Sequence, residues 1–199
     1  MILCFISIIL NNEVVGIRII AGIFRGLKLK LPSDYNIRPT QDRVKESIFN
    51  VLGRDLEDSS VLDLFSGSGS LGLEAVSRGA AKVYFVDNSL KSIKLIKSNL
   101  ELLKDKDCEC KVIKSDIFKF LEHFEVFPAD FIFLDPPYKI ETLVMQDIFN
   151  ILSNKPGIFK NATIVYEYFS KRDITGETDT LKIIKNSHFG DKIVSYISV

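Results

Sequence analysis

The strongest chemical signal in the sequence is Asp135-Pro136-Pro137-Tyr138, which directly follows the apolar run 131–134. Four apolar residues without helical spacing, closed by two prolines that cannot donate to a ladder, predict a buried parallel strand that ends abruptly. In open α/β sheets, ligands bind at the carboxyl ends of the strands. The segment would therefore present a carboxylate, a proline carbonyl and an aromatic ring to a ligand, although Asp-Pro is also a common way to begin a turn.

A second segment, residues 63–72, has the glycine spacing of a nucleotide-binding loop. Gly67, Gly69 and Gly72 follow a strand pattern and precede a helix pattern, and Asp87 comes where a ribose-binding acid is expected. A nicotinamide or flavin cofactor fits this spacing. Asp63 favours another ligand, because a carboxylate at the mouth of the loop would repel a pyrophosphate and attract the ammonium of an amino-acid moiety. S-adenosylmethionine carries that ammonium and a ribose, and it has no phosphate.

One further acid follows a predicted strand in the same way. Asp116 could accept a hydrogen bond from an adenine amino group while Ile117 packs against the ring, or it could simply cap a helix. With Asp63, Asp87 and Asp135, it places an acid at four consecutive predicted strand ends. Because the carboxyl ends of parallel strands share one edge of a sheet, we expect the four acids to line one cleft.

The elements that would position these acids alternate along the chain. Strand patterns occupy residues 61–64, 83–86, 110–113, 131–134 and 162–166, and helix patterns occupy 70–78, 89–102, 117–124 and 141–152. Residues 181–185 and 193–197, joined through Phe189-Gly190-Asp191, predict a closing hairpin. The fold class is therefore α/β, with a mostly parallel seven-stranded sheet covered on both faces.

Ahead of this body, residues 17–21 and 27–31 predict a small hairpin, and a helix is predicted from Pro39-Thr40 to Leu52, with Thr40 as its cap. Basic charge is concentrated here: residues 17–54 hold eight Lys and Arg against three acids, while the whole chain has zero net charge. The segment could contact phosphates or could be an ordinary solvated surface. For Arg38, Thr40 and Arg43, a docked and well-capped helix explains the pattern equally well.

Length and composition set the remaining expectations. A chain of 199 residues with 46% hydrophobic and 26% charged residues forms one globular domain. We divide it into an extension of uncertain status (1–16), a hairpin and helix (17–54) and a cofactor-binding domain (55–199). Cys4, Cys108 and Cys110 suggest neither a disulfide framework nor a zinc site, so we expect a reduced, cytoplasmic location and no metal. The apolar run 1–10 is too short to span a membrane, and we expect a monomer.

Taken together, these segments resemble class I S-adenosylmethionine-dependent methyltransferases that act on exocyclic or amide nitrogen. More narrowly, the chain resembles the RsmD family in Arg18-Ile19-Ile20-Ala21-Gly22, Phe24-Arg25-Gly26, Arg38-Pro39-Thr40, 42–46, Phe49-Asn50, 63–72 and Phe189-Gly190-Asp191. The likeness runs from about Ile17 to the end of the chain. It departs at residues 1–16 and at Lys192, where a small hydroxyl residue is expected.

The resemblance implies a Rossmann-like methyltransferase fold, S-adenosylmethionine as cofactor, and methylation of N2 of a guanine in bacterial 16S ribosomal RNA, free or within the assembling small subunit. It implies that Asp135 and the carbonyl of Pro136 hold the hydrogens of the amine, while Tyr138 stacks on the extruded base. The implied site residues are Asp135, Pro136, Pro137 and Tyr138 for catalysis, Asp63, Phe65, Gly67, Ser68, Gly69, Asp87, Asn88, Asp116 and Ile117 for the cofactor, and Arg18, Arg25, Lys28, Arg38, Thr40 and Arg43 for RNA.

Two alternatives stay open at this point. An adenine-N6 or other amino-group nucleic-acid methyltransferase would also use Asp-Pro-Pro-Tyr, but such DNA enzymes usually add a target-reading domain. A nicotinamide-dependent oxidoreductase would need a hydride-transfer partner, and neither His123 nor His188 follows a predicted strand of the parallel sheet.

Overall fold

The computed structural model describes residues 17–31, 40–177 and 181–199, with the side chains of residues 40, 41, 54, 55 and 175 left out. The predicted extension 1–16, together with Arg38 and Pro39, lies outside the described residues. The side chain of Thr40 is not described either, so its role as a helix cap stays a prediction.

A single seven-stranded sheet forms the centre of the molecule, in the order β3-β2-β1-β4-β5-β7-β6. Strands β1 to β5 are parallel, and β7 runs antiparallel to both β5 and β6. The predicted mostly parallel sheet with an antiparallel closing hairpin is therefore confirmed. The strands are β1 Ser60–Leu64, β2 Lys82–Asp87, β3 Glu109–Lys114, β4 Phe131–Leu134, β5 Thr163–Phe169, β6 Lys182–Phe189 and β7 Lys192–Ser198.

Helices cover both faces of this sheet, because each central strand is apolar on both sides. Along β4, Phe131 and Phe133 belong to one buried cluster, and Ile132 and Leu134 belong to the other, as the two-residue period of a strand requires. The helices are α1 Thr40–Leu52, α2 Ser70–Ser77, α3 Leu90–Leu100, α4 Ile117–His123, α5 Thr142–Ser153 and α6 Pro156–Phe159. The sequence patterns missed α6, a single turn opened by Pro156. In the described ranges, no helix has the length and apolar character needed to cross a membrane.

The strand order reverses at β1, which lies between β2 and β4. Such a reversal opens a crevice at the carboxyl ends of the strands. The register places acids on one side of that crevice: Asp63 of β1 pairs with Phe85 of β2 and with Phe133 of β4. Two residues further along each strand come Asp87 and Asp135, so the alternation of side chains puts all three carboxylates on the same face.

The N-terminal segment 17–31 forms a short version of the predicted hairpin. Arg18 and Lys28 form an antiparallel bridge, and backbone hydrogen bonds pair the two arms on either side of it. The buried carboxylate of Glu74 in α2 accepts from the backbone amides of Ile20 at 2.7 Å and Ala21 at 3.0 Å. These two hydrogen bonds fasten the hairpin to α2.

Candidate active site

A cavity of about 670 Å³ opens at the carboxyl ends of β1 to β4. All the predicted catalytic residues line it, and so do all the predicted cofactor residues except Gly69. These residues are Asp63, Phe65, Gly67, Ser68, Asp87, Asn88, Asp116, Ile117, Asp135, Pro136, Pro137 and Tyr138. Residues spread over more than 70 positions of sequence are thus brought to one site.

The glycine loop between β1 and α2 is tightly turned. Gly67 and Gly69 have positive φ values of 55° and 79°, which glycine adopts without steric cost. Phe65 has a φ of 60°, a strained conformation for a bulky side chain of the kind that clusters at functional sites. Gly72 is needed for packing, since a Cβ there would lie 2.3 Å from Cε1 of Phe85 in β2.

Asp63 lies at the base of the cavity. It is buried, and its Oδ2 accepts from the amide of Gly72 at 2.9 Å. Burial raises the pKa of Asp63 well above its usual value, the hydrogen bond from Gly72 opposes this shift, and the nearby charges of Asp135 and Asp87 add to it. A cationic group bound here would offset the cost of holding this carboxylate ionised.

The lining as a whole is acidic. Its described residues include six carboxylates and two lysines, Lys45 and Lys192. The ammonium of Lys45 already has partners, because its Nζ donates to the carbonyl of Arg18 at 2.5 Å and to Ser70 Oγ at 3.1 Å and lies 3.5 Å from Glu74. The excess of carboxylates fits the positively charged ammonium and sulfonium of S-adenosylmethionine and disfavours a negatively charged pyrophosphate.

Asp87 and Asp116 occupy the next two strand ends. Asp87 accepts from the amide of Gly67 at 2.9 Å and from the amide of Ser89 at 2.8 Å, so it fixes the glycine loop against β2. Asp116 accepts from the amide of Lys119 at 3.2 Å and caps α4. Both interpretations of Asp116 are therefore compatible, because it caps the helix and also lines the cavity.

The segment from Asp135 to Tyr138 forms one wall of the cavity. Asp135 keeps an exposed surface. Partial desolvation in the cavity wall and, next, the charge of Glu167 together raise the pKa of its carboxyl to about 7, and the charge of Lys192 opposes this shift. The Tyr138 ring is 59% exposed, and its centroid lies 4.5 Å from that of Phe169. An acceptor that is partly ionised at neutral pH thus stands beside an accessible aromatic ring.

Sequence reasoning missed Glu167 and underrated Lys192. Both are buried, both line the cavity, and they form an ion pair. Glu167 carried a usable signal, since it is the first charged residue after the apolar start of β5, as Asp135 is after β4. For Lys192 the sequence shows only a departure from the family pattern.

The four predicted RNA residues whose side chains the structure describes lie outside the cavity lining. Arg18 is 62% exposed and its Nε lies 3.7 Å from Asp42; Arg25, Lys28 and Arg43 are exposed as well. The turn that carries Arg25 packs against the far end of α2, where Ile23 donates to the Ser77 carbonyl at 2.8 Å. The C-terminal end of α2 lies roughly 12 Å from its N-terminal end at the cavity, because an α-helix rises 1.5 Å per residue.

Comparison with known proteins agrees with this geometry. The family model described as conserved hypothetical protein 95 matches residues 17–198. A relative in Haemophilus influenzae, ribosomal RNA small subunit methyltransferase D, is 38% identical over 182 residues, which cover 90% of this chain and 91% of the relative.

Solved structures show the same fold. A putative methyltransferase from Escherichia coli, yhhF, superposes with a TM-score of 0.78 at 28% identity, covering 91% of this chain and 96% of that one. Magnesium protoporphyrin IX methyltransferase from Synechocystis, solved with bound S-adenosylhomocysteine, superposes with a TM-score of 0.64 at 15% identity, covering 84% and 90%, and shares the fold alone. The chain therefore belongs to the conserved hypothetical protein 95 family, the RsmD methyltransferases.

Proposed function

We propose that the protein transfers a methyl group from S-adenosylmethionine to the exocyclic N2 of a guanine in small-subunit ribosomal RNA. The observation that carries the proposal is the meeting of Asp135-Pro136-Pro137-Tyr138 with the acids Asp63, Asp87 and Asp116 around one cavity. The donor is S-adenosylmethionine, which supplies a methyl group activated by a sulfonium. The name of the Haemophilus influenzae relative supports ribosomal RNA as the acceptor.

The chemistry explains why an acceptor such as Asp135 is needed. The lone pair of the guanine 2-amino group is delocalised into the ring, so the nitrogen attacks only when it is turned toward pyramidal geometry. Asp135 and the carbonyl of Pro136 accept hydrogen bonds from the amino hydrogens and stabilise the positive charge that develops on nitrogen. Attack by N2 would break the carbon–sulfur bond of the sulfonium and leave S-adenosylhomocysteine. The cationic methylated amine then loses its proton readily to Asp135 or to water, so Asp135 need not be a strong base. Orientation of the amine supplies most of the rate.

The acceptor base must be unpaired or extruded, since its amino edge lies inside the pair in a duplex. The exposed ring of Tyr138 offers a stacking surface for such a base. The exposed basic side chains of Arg18, Lys28 and Arg43 are suited to hold the flanking phosphates. A cytoplasmic location, a monomeric state and the division at residues 54 and 55 stay predictions.

The test separates catalysis from cofactor binding. Purified protein is incubated with methyl-labelled S-adenosylmethionine and with 16S RNA, intact small subunits or large-subunit RNA from a strain that lacks the gene. Asp135→Ala should abolish incorporation while calorimetry gives an unchanged affinity for S-adenosylhomocysteine. Asp147→Asn, an exposed substitution on α5, should behave as wild type. An active Asp135→Ala protein, or incorporation confined to large-subunit RNA, would contradict the proposal.

A further inference from the structure

A second cavity of about 260 Å³ adjoins the first. Six residues line both: Asp135, Pro136, Pro137, Tyr138, Glu167 and Lys192. The second cavity continues over aromatic and basic side chains of β5 and the following segment, among them Tyr168, Phe169 and Arg172. A planar aromatic ligand that enters it would meet Asp135 at the border with the cofactor cavity.

Glu167 and Lys192 stand at this border because of the strand register. Leu134 pairs with Tyr166, so Asp135 and Glu167 are the next residues on neighbouring strands. Phe169 pairs with Lys192 across β5 and β7. Since Glu167 and Phe169 are two positions apart, they share one face of the sheet with Lys192. The ammonium of Lys192 donates to Oε1 of Glu167 and lies 5.7 Å from the Tyr138 ring centroid.

A structural role alone gives a weak account of this pair. A buried ion pair is often no more stabilising than apolar residues of similar size, because both charges lose their hydration. Here the two charged groups also border the proposed acceptor site, where a ligand can use one as acceptor and the other as donor. Lys192 remains an ammonium, because Glu167 raises its pKa against the effect of burial.

We propose that Glu167 and Lys192 read the Watson–Crick edge of the target guanine, with the carboxylate accepting from N1–H and the ammonium donating to O6. The inference rests on the proposed function. The 2-amino group, next to N1, is then directed to Asp135. Adenine presents an amino group where guanine has O6 and an unprotonated N1 where guanine has N1–H, so it would set donor against donor and acceptor against acceptor.

The pair is a specificity determinant, so its test compares acceptor bases. Small-subunit RNA is assembled by ligation with either guanine or 2-aminopurine at the nucleotide that the enzyme methylates. 2-Aminopurine keeps the 2-amino group and lacks both O6 and N1–H. Wild-type protein should methylate the 2-aminopurine RNA with a kcat/KM at least 10-fold lower.

Lys192→Met and Glu167→Gln should each lower kcat/KM on the guanine RNA by about 10- to 100-fold, which corresponds to losing one good base contact. Because both side chains act on the pKa of Asp135, kcat/KM is compared on the high-pH plateau of each protein. There each variant should change kcat/KM on the 2-aminopurine RNA less than threefold and leave the affinity for S-adenosylhomocysteine unchanged, so discrimination collapses. Lys185→Met, which removes an exposed lysine of the neighbouring strand β6, should keep wild-type discrimination.

Equal losses on both RNAs would assign the pair a merely structural role and overturn this inference, with the proposed function intact. Unchanged activity on both RNAs would overturn it as well. Absence of methylation on guanine RNA by wild-type protein would instead refute the proposed function, and the inference with it.

Discussion

Replacing Gly72 by alanine should impair cofactor binding more than folding. The new Cβ would lie 2.3 Å from Cε1 of Phe85 and 2.9 Å from Oδ2 of Asp63, whereas carbon atoms in contact normally lie about 3.5–4.0 Å apart. The Phe85 ring is fully buried and has little room to move. The Asp63 carboxylate must therefore shift away from the Gly72 amide, to which it is hydrogen-bonded at 2.9 Å.

Two opposing effects set the change in stability. Alanine is favoured over glycine within a helix by about 1 kcal/mol, while overpacking of a core costs about 1–3 kcal/mol. The net loss should be about 1 kcal/mol, which lowers Tm by about 2–4 °C in a chain of this size. Cofactor binding additionally loses a charged contact through Asp63 worth about 1.5–3 kcal/mol, so the Kd should rise about 10- to 100-fold.

Calorimetric titration with S-adenosylhomocysteine and thermal melting measure the two effects. Gly157→Ala is the matched control, because no atom lies within 4 Å of a Cβ added there. It should leave the Kd unchanged and should not lower Tm. A Gly72→Ala protein that binds S-adenosylhomocysteine within twofold of wild type would refute the role assigned to Asp63 and to the close approach of α2.

Three further predictions concern charges. Glu74→Gln should lower the free energy of unfolding in urea by about 3–5 kcal/mol, because the buried carboxylate is ion-paired. The kcat/KM of the wild type should rise with pH up to about 7 and then level off, because the pKa of Asp135 is raised to about 7 and the ionised form accepts from the amine. Lys28→Glu should raise KM for RNA and reduce the slope of log affinity for RNA against log salt concentration by about 1. Both effects should be larger than those of Arg25→Glu, and the cofactor affinity should be unchanged.

Each of these predictions has a contrary result. A Glu74→Gln protein that loses less than about 1 kcal/mol would show that the carboxylate does not hold the N-terminal segment in place. A pH profile without a break between pH 5 and 8 would contradict the role of ionised Asp135. Lys104→Glu, an exposed change in the turn after α3, is the control for RNA binding. A larger effect from Arg25→Glu than from Lys28→Glu would place the RNA along α2, away from the cavity.

The sequence was sufficient to predict the central sheet and the acids at its edge. Buried parallel strands are continuous apolar runs, so the first polar residue after each run marks a strand end. Asp87 and Asp135 were found in this way, Asp63 by its place at the mouth of the glycine loop, and Asp116 by its place shortly after the third run. All four line one cavity. The closing hairpin was predicted from its turn at Gly190, whose φ is 61°.

Long-range polar contacts were not predictable in the same way. Glu74 lies in a helix pattern where a glutamate is usually exposed, yet it is fully buried because the amides of Ile20 and Ala21 need an acceptor there. Glu167 and Lys192 are 25 residues apart, and only the pairing of β5 with β7 brings them together.

The identity of the methylated nucleoside tests the central claim most directly. Small-subunit RNA from a strain that lacks the gene is incubated with purified protein and S-adenosylmethionine carrying a deuterated methyl group, then digested and analysed by mass spectrometry. Our account predicts deuterated N2-methylguanosine at a single position of the RNA. Deuterated N6-methyladenosine, or unlabelled nucleosides throughout, would contradict it.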